Sequence, residues 1–590
     1  MRRAEVWAPS PSVVELELRG VRHSMTGDPE RPGWWVSDMP LQPDDRYGFV
    51  LDREGPFPDP RSMSQPDGVH GLSRAVGTDT FRRSPGPECS RGTSERIDPG
   101  PECSRGTSER IEGLRGKVLY ELHVGTFTEG GTLDSAIDRL DELVDLGVEA
   151  VELMPLNAFA GERGWGYDGV APWSVHAAYG DQEALVRFVD AAHERGLGVL
   201  IDVVHNHLGP EGNYLSRYGP YFTDKHATPW GDAVNLDDEG AQHVRDFFIG
   251  SARHFLVDAG ADGLRLDAVH ALGDDSEYHF LAELSDCVQA WERETGRVLT
   301  LFAESDLNLP AMVSPVGTSP EACGMDGQWA DDVHHALHAF FSRETQGYYV
   351  DFGTPEVLAK SLTRVFVHDG EHSTFRGQPW GAPVVPESPH YDGHSFVTFL
   401  QNHDQVGNRA VGDRFHMHAG PGEQAAGAAL YLLGAYTPML FMGEEWAAST
   451  PFPYFSHLGP ELGPHVTEGR AREFAAMGWD TPTPDPQAEA TFLSAKLDWA
   501  ERTAGEHGRM LEWYRTLLRL RRDHPELRDP DLHTVEVEIL DDDTLAMRRG
   551  PFTVYATRSA ALPAGLGDDA DVVASYPGTC LIVTASQQCQ

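Results

Sequence analysis

The sequence has no long apolar run. No stretch of its 590 residues is long and apolar enough to span a bilayer, which takes about 20 apolar residues. Its first residues, MRRAEVWAPSPSVVELEL, contain two arginines but neither the apolar core nor the small-residue cleavage site of a secretion signal. We therefore expect a cytoplasmic protein that makes no contact with a membrane.

Basic residues are also scarce. Lysine and arginine together number 47 against 92 aspartates and glutamates, which gives a formal net charge of -45 at pH 7. A surface of this sign repels nucleic acid and anionic lipid, so we expect neither as a partner. A neutral polyol substrate is compatible with the charge.

Cysteine is rare, and the spacing of the cysteines matches neither a metal-binding motif nor a disulfide framework. The six cysteines are Cys89, Cys103, Cys287, Cys323, Cys580 and Cys589. No CxxC or Cys/His spacing of the kind that binds zinc occurs, and six thiols scattered through a long chain do not make a disulfide framework. We expect no metal and no cofactor.

The length exceeds what one hydrophobic core supports, so we predict several domains. Residues 1–84 contain short alternating runs broken by Pro, Gly and Asp, which predicts a β-sandwich of the Ig-like kind found in carbohydrate-binding modules. We assign 85–115 to a polar linker and 116–485 to a catalytic domain. Residues 486–590 are predicted to form a helix followed by an antiparallel β-domain.

The predicted linker contains a tandem repeat. The segment PGPECSRGTSERI at 85–97 returns at 99–111. Thirteen polar residues punctuated by Gly and Pro cannot bury a core, and two copies are too few for a solenoid. A linker is therefore the better interpretation than a functional repeat.

After residue 116, short apolar runs alternate with amphipathic helical patterns, as in a parallel sheet built from βα units. Helical patterns span 132–147, 182–198 and 239–260, and a later one spans 508–527. Candidate strands lie at 118–124, 149–155, 198–204, 262–268, 298–304, 395–404 and 438–443, with a weaker one near Gly327 to Trp329. Eight such units predict an α/β fold, a (β/α)8 barrel with inserted loops.

Several polar residues follow directly on these strands. They are Asp202, His207, Arg265, Asp267, Glu304, His403 and Asp404. In a barrel of this kind, the carboxyl ends of the strands meet at one mouth, where active sites are assembled. Cleavage of a glycosidic bond needs an acid to protonate the departing oxygen and a carboxylate to attack, about 5 Å apart in retaining enzymes. Any one of these acids alone is more simply a helix cap, but their recurrence on several strands favours a shared site.

The strand pattern suggests separate roles for two of the acids. Arg265 and Asp267 stand two residues apart on a strand, so their side chains leave the same face, and the cation favours an ionised nucleophile. Glu304 follows the apolar run VLTLFA. A partly desolvated glutamate beside other carboxylates holds its proton more strongly, which suits a general acid.

Four segments carry a resemblance to the α-amylase superfamily of glycoside hydrolases: DVVHNH (202–207), GLRLDAVH (263–270), AES (303–305) and FLQNHD (399–404). The resemblance implies a retaining mechanism with Asp267 as nucleophile, Glu304 as acid/base and Asp404 as transition-state stabiliser. It also implies sugar contacts beside the scissile bond. We assign those contacts to Tyr167 of GYDG, Asp202, His207, Arg265, His270 and His403.

Longer blocks resemble the malto-oligosyltrehalose trehalohydrolase family within that superfamily. They are YELHVGTFT (120–128), ELMPLNAFAGERGWGYDGVAPW (152–173), QWADDVHHALH (328–338), NHDQVGNRA (402–410) and GEEWAASTPFPYFSH (443–457). The resemblance implies cleavage of the α-1,4 bond between a maltooligosaccharide and a terminal trehalose, and functional pairing with maltooligosyltrehalose synthase.

The segment ADDVHH pairs acids with histidines, as a metal site would. The resemblance instead places it in the substrate cleft, so we predict that Asp331, Asp332, His334 and His335 bind sugar hydroxyls. We assign Gln405 and Asn408 to the cleft on the same grounds. Asn206 stands where many α-amylases place a calcium ligand, but calcium needs six to eight oxygens, and no Asp-rich loop supplies them.

Aromatic residues are harder to assign. Phe452, Tyr454 and Phe455 follow the eighth strand and are interpreted as cleft walls, with core packing as the alternative. Trp34 and Trp35 are assigned no site, because half-buried aromatics on strands are more often core.

Three alternatives remain. A glycogen branching enzyme shares the architecture and the acids but transfers chains to an acceptor. A general α-amylase is disfavoured by ADDVHH. A non-catalytic glucan-binding protein of the same fold is disfavoured because all three acids are present.

Overall fold

Eight parallel strands close into a barrel at the centre of the chain. In chain order they are Leu119–Leu122, Ala150–Leu153, Gly198–Val203, Gly263–Leu266, Thr300–Ala303, Gly327–Trp329, Phe396–Thr398 and Thr437–Phe441. Each strand pairs with the next in parallel register, and the last pairs with the first. The predicted (β/α)8 barrel is confirmed, including its weak sixth strand.

The computed structural model describes residues 2–81, 111–476, 483–565 and 570–585. The tandem repeat, apart from its last residue, lies outside these ranges.

The predicted seventh strand was too long. Pairing stops at Thr398, although Phe399 and Leu400 continue the apolar run and are fully buried. The chain then leaves the sheet, and the side chain of Asn402 caps a short helix, His403–Gly407, by accepting a hydrogen bond from the backbone N–H of Gln405. Asp404 therefore stands on the first turn of a helix and not on a strand.

Helices cover the outside of the barrel. They are Leu133–Ile137, Leu140–Leu146, Asp181–Glu194, Ala241–Arg253, Phe280–Thr295, Asp331–Ser342, Pro355–Arg364, Pro421–Leu432 and Gly505–Asp523. The helical pattern predicted at 132–147 forms two helices, and the one predicted at 182–198 ends at Glu194, before the third strand begins. A π-helical turn, His254–Asp258, continues Ala241–Arg253.

The helix Gly505–Asp523 completes the ring, although its sequence position suggested the start of the C-terminal domain. It packs against Pro421–Leu432 and Leu140–Leu146. The indole Nε1 of Trp513 donates to the carbonyl of Ala425 at 2.9 Å. The buried guanidinium of Arg521 donates to three carbonyl oxygens that lead into the eighth strand. Those of Leu432 and Gly434 lie at 2.9 Å and that of Tyr436 at 2.8 Å.

Antiparallel sheets flank the barrel on both sides in sequence. The N-terminal region contains Arg2–Trp7, Thr26–Gly27 and Trp34–Leu41 in one sheet, and Val14–Leu18, Val21–Ser24, Arg46–Leu51, Glu54–Phe57 and Ser73–Arg74 in another. The C-terminal sheet contains Val535–Asp541, Thr544–Arg549, Phe552–Thr557, Ala570–Tyr576 and Cys580–Ala585.

The N-terminal sheets are attached to the barrel through an arginine. The guanidinium of Arg61 lies 4.9 Å from the ring centre of Trp34 and 5.5 Å from that of Trp173, which belongs to the barrel. Trp34 is buried, and the Nε1 of Trp35 donates to the carbonyl of Ala8 at 3.0 Å. Both tryptophans thus serve packing.

Among the described residues, no helix combines the length and the apolar character that crossing a membrane would require.

Candidate active site

Arg265 lies at the centre of the site and holds three carboxylates. Its Nη1 donates to Asp202 Oδ2 at 2.7 Å and to Asp267 Oδ1 at 3.0 Å, and its Nη2 donates to Glu304 Oε2 at 2.7 Å. The side chain is fully buried, and the guanidinium lies 4.2 Å from the ring centre of Trp329. One cation thus brings the predicted nucleophile and the predicted acid to the same mouth of the barrel.

Both oxygens of the Asp267 carboxylate have partners. The Nδ2 of Asn206 donates to Asp267 Oδ2 at 2.7 Å and to the Asp267 carbonyl at 2.6 Å, while Oδ1 accepts from Arg265. The Oδ1 of Asn206 lies 2.5 Å from Nδ1 of His207, whose Nε2 is 3.0 Å from the carbonyl of Tyr167. Asn206, which stands at a calcium-ligand position of many α-amylases, here fixes the orientation of Asp267.

Glu304 is held through one oxygen. Its Oε2 accepts from Arg265 and, at 2.8 Å, from the backbone N–H of Ala268. Ala268 adopts the left-handed conformation at φ 38°, which is uncommon for a residue with a side chain. That backbone turn, directly after Asp267, directs the N–H toward Glu304. No described residue donates a hydrogen bond to Oε1, and the residue lines the cleft.

Asp404 is oriented by two neighbours on its own short helix. The Nδ2 of Asn408 donates to Asp404 Oδ1 at 2.9 Å, and Nε2 of His403 lies 3.5 Å from Oδ2. On its other side, His403 contacts Glu121 through Nδ1 at 2.5 Å and through its backbone N–H at 2.9 Å. Burial disfavours the imidazolium, but the carboxylates of Asp404 and Glu121 outweigh it and raise the pKa of His403 to about 9.

Tyr167 and Asp202 are linked beneath the cleft. The hydroxyl of Tyr167 donates to Asp202 Oδ2 at 2.5 Å, and its ring stacks on that of His403 with centres 5.0 Å apart. Burial raises the pKa of Asp202 to about 7, although the Arg265 guanidinium opposes the shift. Asp202 is only 1% exposed, so it supports Tyr167 and Arg265 from below instead of facing the cleft.

Two cavities meet at Asp404 and Asn408. The first, of about 550 Å³, is lined by these predicted residues: Tyr167, His207, Asp267, His270, Glu304, His403, Asp404, Asn408 and Tyr454. The second, of about 320 Å³, is lined by these: Asp331, Asp332, His335, Asp404, Gln405 and Asn408. Asp404 thus lies at the junction of the two cavities, while Asp267 and Glu304 line the first cavity only.

Two predicted cleft walls are core residues instead. Phe452 and Phe455 are fully buried, and Phe452 stacks on Trp165 with ring centres 5.2 Å apart. Only Tyr454 of the three predicted aromatic residues reaches the first cavity. Its side chain is half-buried, and its ring centre lies 5.2 Å from that of Trp165, which lines the same cavity.

In the ADDVHH segment, some side chains line the second cavity and others pack inside the protein. Asp331 and His335 stand one helical turn apart, and both line the second cavity. His334 is 1% exposed, with Nδ1 2.8 Å from the carbonyl of Leu400, so it does not reach the cleft as predicted. Burial and the charges of Glu304 and Asp404 raise the pKa of Asp331 to about 8.

Asp332 mainly organises a neighbouring loop. Its Oδ2 accepts from Nδ2 of Asn308 at 2.9 Å and from the backbone N–H groups of Val367 at 2.7 Å and His368 at 2.9 Å. Burial by itself would raise the pKa of Asp332, but the His368 side chain, 3.8 Å from Oδ1, and the His368 backbone N–H outweigh it, and the pKa is lowered. The carboxylate forms part of the cavity wall, but one oxygen is fully engaged with the protein.

Sequence reasoning missed further residues of the cleft. In the first cavity they are Trp165, Asp168, Trp230 and Arg470, and in the second they are Asp306, Asn308, Tyr348, Phe352, Phe375 and Arg376. Trp230 is 51% exposed and stacks on His207, with ring centres 4.2 Å apart. An exposed aromatic in a long βα loop is the one signal that could have identified Trp230 and Phe375.

One group of side chains in the described ranges has the spacing of metal ligands, and it lies outside both cavities. The ligand atoms of His226, Asp237 and Asp275 are all within 4.8 Å of one another. The ammonium of Lys225 already lies 2.7 Å from Asp237 Oδ2. A cation of the protein thus already pairs with one of the two carboxylates of this group.

Comparisons with known proteins agree with this geometry. The model for the alpha-amylase catalytic domain matches residues 78–253. The malto-oligosyltrehalose trehalohydrolase of Rhizobium sp. (strain M-11) is 46% identical over 98% of this chain and 93% of its own length, and that of Arthrobacter ramosus is 47% identical over 98% and 96%.

A solved structure agrees as well. A crystal structure of an α-amylase-type protein from Salmonella typhimurium superposes with a TM-score of 0.85 at 34% identity and covers 99% of this chain and 97% of its own. Similarity over nearly the whole length, together with the carboxylates gathered around Arg265, leads to one conclusion. The chain belongs to the malto-oligosyltrehalose trehalohydrolase family of α-amylase-type glycoside hydrolases.

Proposed function

We propose that this chain hydrolyses the α-1,4-glucosidic bond beside the terminal trehalose of maltooligosyltrehalose and releases free trehalose. The observation that carries the proposal is the shared guanidinium of Arg265. It bonds Asp267 and Glu304 at once, so the two carboxyl groups lie no farther apart than two hydrogen bonds and the width of one guanidinium. This upper limit includes the separation of about 5 Å found in retaining enzymes, and the retaining mechanism itself is inferred from the family.

In the proposed first step, Asp267 attacks the anomeric carbon while Glu304 protonates the departing oxygen. The C–O bond of the leaving trehalose breaks as the bond from carbon to the Asp267 carboxylate forms. Asn206 and Arg265 hold the nucleophile, and Oε1 of Glu304 is the oxygen that faces the cleft with its proton. In the second step, Glu304 takes a proton from water, and the resulting hydroxide displaces Asp267.

Asp404 has the position of a stabiliser in this scheme. Asn408 and the charged ring of His403 keep its carboxylate oriented at the junction of the two cavities. A negative charge there stabilises the positive charge that develops on the sugar ring in the transition state.

We place the maltooligosaccharide in the first cavity and the trehalose in the second. The first contains Tyr167, His207 and Trp230, whose rings suit the apolar faces of pyranose rings. The second is smaller and contains Asp331 and His335, which can bond the hydroxyls of a terminal disaccharide. Selectivity then arises because a glucan end leaves these polar groups unpaired.

A comparison of two substrates tests the proposal. The protein is incubated with maltotriosyltrehalose and, separately, with maltopentaose, and the products are separated by chromatography. Trehalose plus maltotriose from the first, with little cleavage of the second, is expected. Equal cleavage of both would indicate a general α-amylase, and longer branched products would indicate a branching enzyme.

The variant Asp267→Asn tests the assigned nucleophile. It removes the attacking charge with almost no change in shape, so turnover should fall by several orders of magnitude while the melting temperature stays close to that of the unmodified protein. Substantial residual turnover would contradict the assignment.

We also propose a cytoplasmic role beside a maltooligosyltrehalose synthase. The hydrolase needs a substrate that already ends in trehalose, so the preceding reaction must convert the reducing end of a glucan into that disaccharide. Trehalose should accumulate from maltopentaose only when both proteins are mixed.

A further inference from the structure

A buried glutamate on the first strand of the barrel holds the ring of His403 from below. Glu121 is fully buried, and each of its oxygens contacts His403: Oε2 accepts from the backbone N–H at 2.9 Å, and Oε1 lies 2.5 Å from Nδ1. Two contacts to one residue fix both the position of its backbone and the rotation of its side chain. The short helix that carries Asp404 begins at this same residue.

The remaining faces of the ring are occupied as well. Tyr167 stacks on it with ring centres 5.0 Å apart, and Trp165 meets it edge-on at 5.6 Å. Because Nδ1 is engaged by Glu121, only Nε2 is directed toward Asp404, at 3.5 Å. The imidazole cannot flip without losing the contact with Glu121.

The titratable groups around His403 come from five elements. Glu121 lies on the first strand, Asp202 on the third and Arg265 on the fourth, while Asp404 is on the helix of His403 itself. Glu152, on the second strand, also faces the ring, but burial and the charge of Glu121 raise its pKa well above its ordinary value, so it is uncharged and Glu152→Gln removes no charge. The buried ring of His123, just after the first strand, also faces it. The two carboxylates in direct contact, Glu121 and Asp404, lie on opposite sides of the ring, so each ring nitrogen has an acceptor for a proton.

We propose that Glu121 is a positioning residue for the hydrolysis: it keeps His403 as an imidazolium whose Nε2–H is directed at Asp404 and at the sugar in the cleft. The inference rests on the proposed function, because it concerns the same site. An imidazolium at this point offsets the negative charge of Asp404 and donates to a sugar hydroxyl. Loss of the Glu121 carboxylate removes one of the two charges that stabilise the imidazolium, so the pKa of His403 falls toward the working pH range.

Glu152 provides a matched control. It pairs with Glu121 in the parallel register of the first two strands and is equally buried. Neither of its carboxyl oxygens has a hydrogen-bond partner among the described residues. Glu152→Gln therefore changes a carboxyl at the same depth of the barrel without removing a contact of His403.

The experiment compares Glu121→Gln and Glu152→Gln by measuring kcat and KM for maltotriosyltrehalose from pH 5 to pH 9. We expect Glu121→Gln to lower kcat roughly 10- to 100-fold. This is less than the loss caused by removing the aspartate of a Ser-His-Asp triad, because that histidine transfers a proton in the reaction, whereas His403 provides a positive charge and transfers no proton. The basic limb of the kcat profile of this variant should also move to lower pH, because His403 then loses its proton at a lower pH. Glu152→Gln should keep the unmodified profile.

A purely structural role would give a different result. Two outcomes would overturn the proposal. In one, Glu121→Gln lowers kcat by the same factor at every pH and leaves the basic limb of the pH profile in place. In the other, Glu152→Gln moves the basic limb as far as Glu121→Gln does. Melting temperatures of both variants show whether each one folds.

A second measurement needs neither turnover nor a variant at Glu121. Nitrogen-15 labelling of histidine reports the protonation of each ring by NMR, and the signal of His403 is assigned as the one lost in His403→Gln. The ring should stay doubly protonated through neutral pH. A ring that is neutral at pH 7 would overturn the inference, and inactivity toward maltotriosyltrehalose with a charged ring would overturn only the proposed function.

Discussion

Arg409 and Glu344 form a bidentate ion pair, with Nη1 2.9 Å from Oε2 and Nη2 3.0 Å from Oε1. The pair joins two parts of the cleft. Arg409 follows the helix that carries Asp404, and Glu344 follows the helix that carries Asp331. The proposed stabiliser, Asp404, and the proposed trehalose contact, Asp331, are therefore connected through a partly buried salt bridge.

Breaking this pair should destabilise the protein and loosen the cleft. Arg409→Gln removes both hydrogen bonds to Glu344 and the 3.2 Å contact with Asp413, and it leaves Glu344 with His338 at 2.7 Å. Removal of one member of a fully buried pair costs about 3–5 kcal/mol, so this partly buried pair, whose glutamate keeps one partner, should cost less. Unfolding in urea, followed by tryptophan fluorescence, measures the loss. Arg509→Gln, at an exposed salt bridge with Glu506, is the matched control and should change stability little. Equal effects of the two changes would contradict the role of the Arg409 pair.

Asn206 should matter for rate more than for stability. Asn206→Ala removes the amide that holds Asp267 Oδ2 and the Asp267 carbonyl, and a misplaced nucleophile costs roughly 100-fold in kcat. Asn206→Asp should lose at least as much, because a carboxylate would then face a carboxylate. Steady-state kinetics with maltotriosyltrehalose measures both, and a kcat within a fewfold of the unmodified value would refute the prediction.

Asp331 should control the choice of chain end. Asp331→Ala is expected to lower kcat/KM for maltotriosyltrehalose by a larger factor than kcat/KM for maltopentaose, so the preference for the trehalose end falls. The ratio of the two kcat/KM values is the measurement. If both substrates lose the same factor, Asp331 has no part in selectivity.

The pH dependence of the same residue has a definite sign. Burial, together with the charges of Glu304 and Asp404, raises the pKa of Asp331 to about 8, so below pH 8 the carboxyl is protonated and is able to donate a hydrogen bond to a sugar hydroxyl. Asp331→Asn copies that neutral form and should retain selectivity near pH 6. Above pH 8 the unmodified enzyme should lose activity as Asp331 becomes negatively charged close to Asp404, and Asp331→Asn should lose less.

Glu445 should make the protein less stable as the pH rises. Burial raises its pKa to about 8, while the unfolded chain releases the proton near pH 4.5. Folding therefore retains a proton that unfolding releases, and the stability contribution falls between these two values. Glu445→Gln should flatten this fall in melting temperature from pH 5 to pH 8. Glu512→Gln, an exposed change on the helix Gly505–Asp523, should follow the unmodified curve.

The barrel could be predicted because its strands are buried on both faces and its helices are amphipathic. The one strand that was misjudged shows the limit of that signal. Phe399 and Leu400 are as buried as the strand before them, but they are buried by packing after the sheet has ended. An apolar run reports burial, whereas only backbone pairing decides where a strand stops.

The same distinction applies to the site: residues at strand ends could be located from the strand pattern, and residues on helices and loops could not. Asp267 and Glu304 follow their strands directly, as predicted. Asp404 was also predicted at a strand end, but it lies on a short helix after the strand has ended. His334 and His335 are adjacent and chemically identical, yet only His335 reaches the cavity, because helical rotation separates them. Trp230 and Phe375 lie on long loops whose path no periodic pattern describes.

The helix Gly505–Asp523 has a consequence for synthesis on the ribosome. The eighth strand ends at Phe441, and more than sixty residues must follow before the helix that covers its neighbours begins. Until then, Glu444 lacks the hydrogen bond from the hydroxyl of Tyr514, and the carbonyl of Ala425 lacks the one from the indole of Trp513. The nascent barrel therefore leaves the ribosome with one apolar flank uncovered, a stage at which a chaperone has a surface to bind.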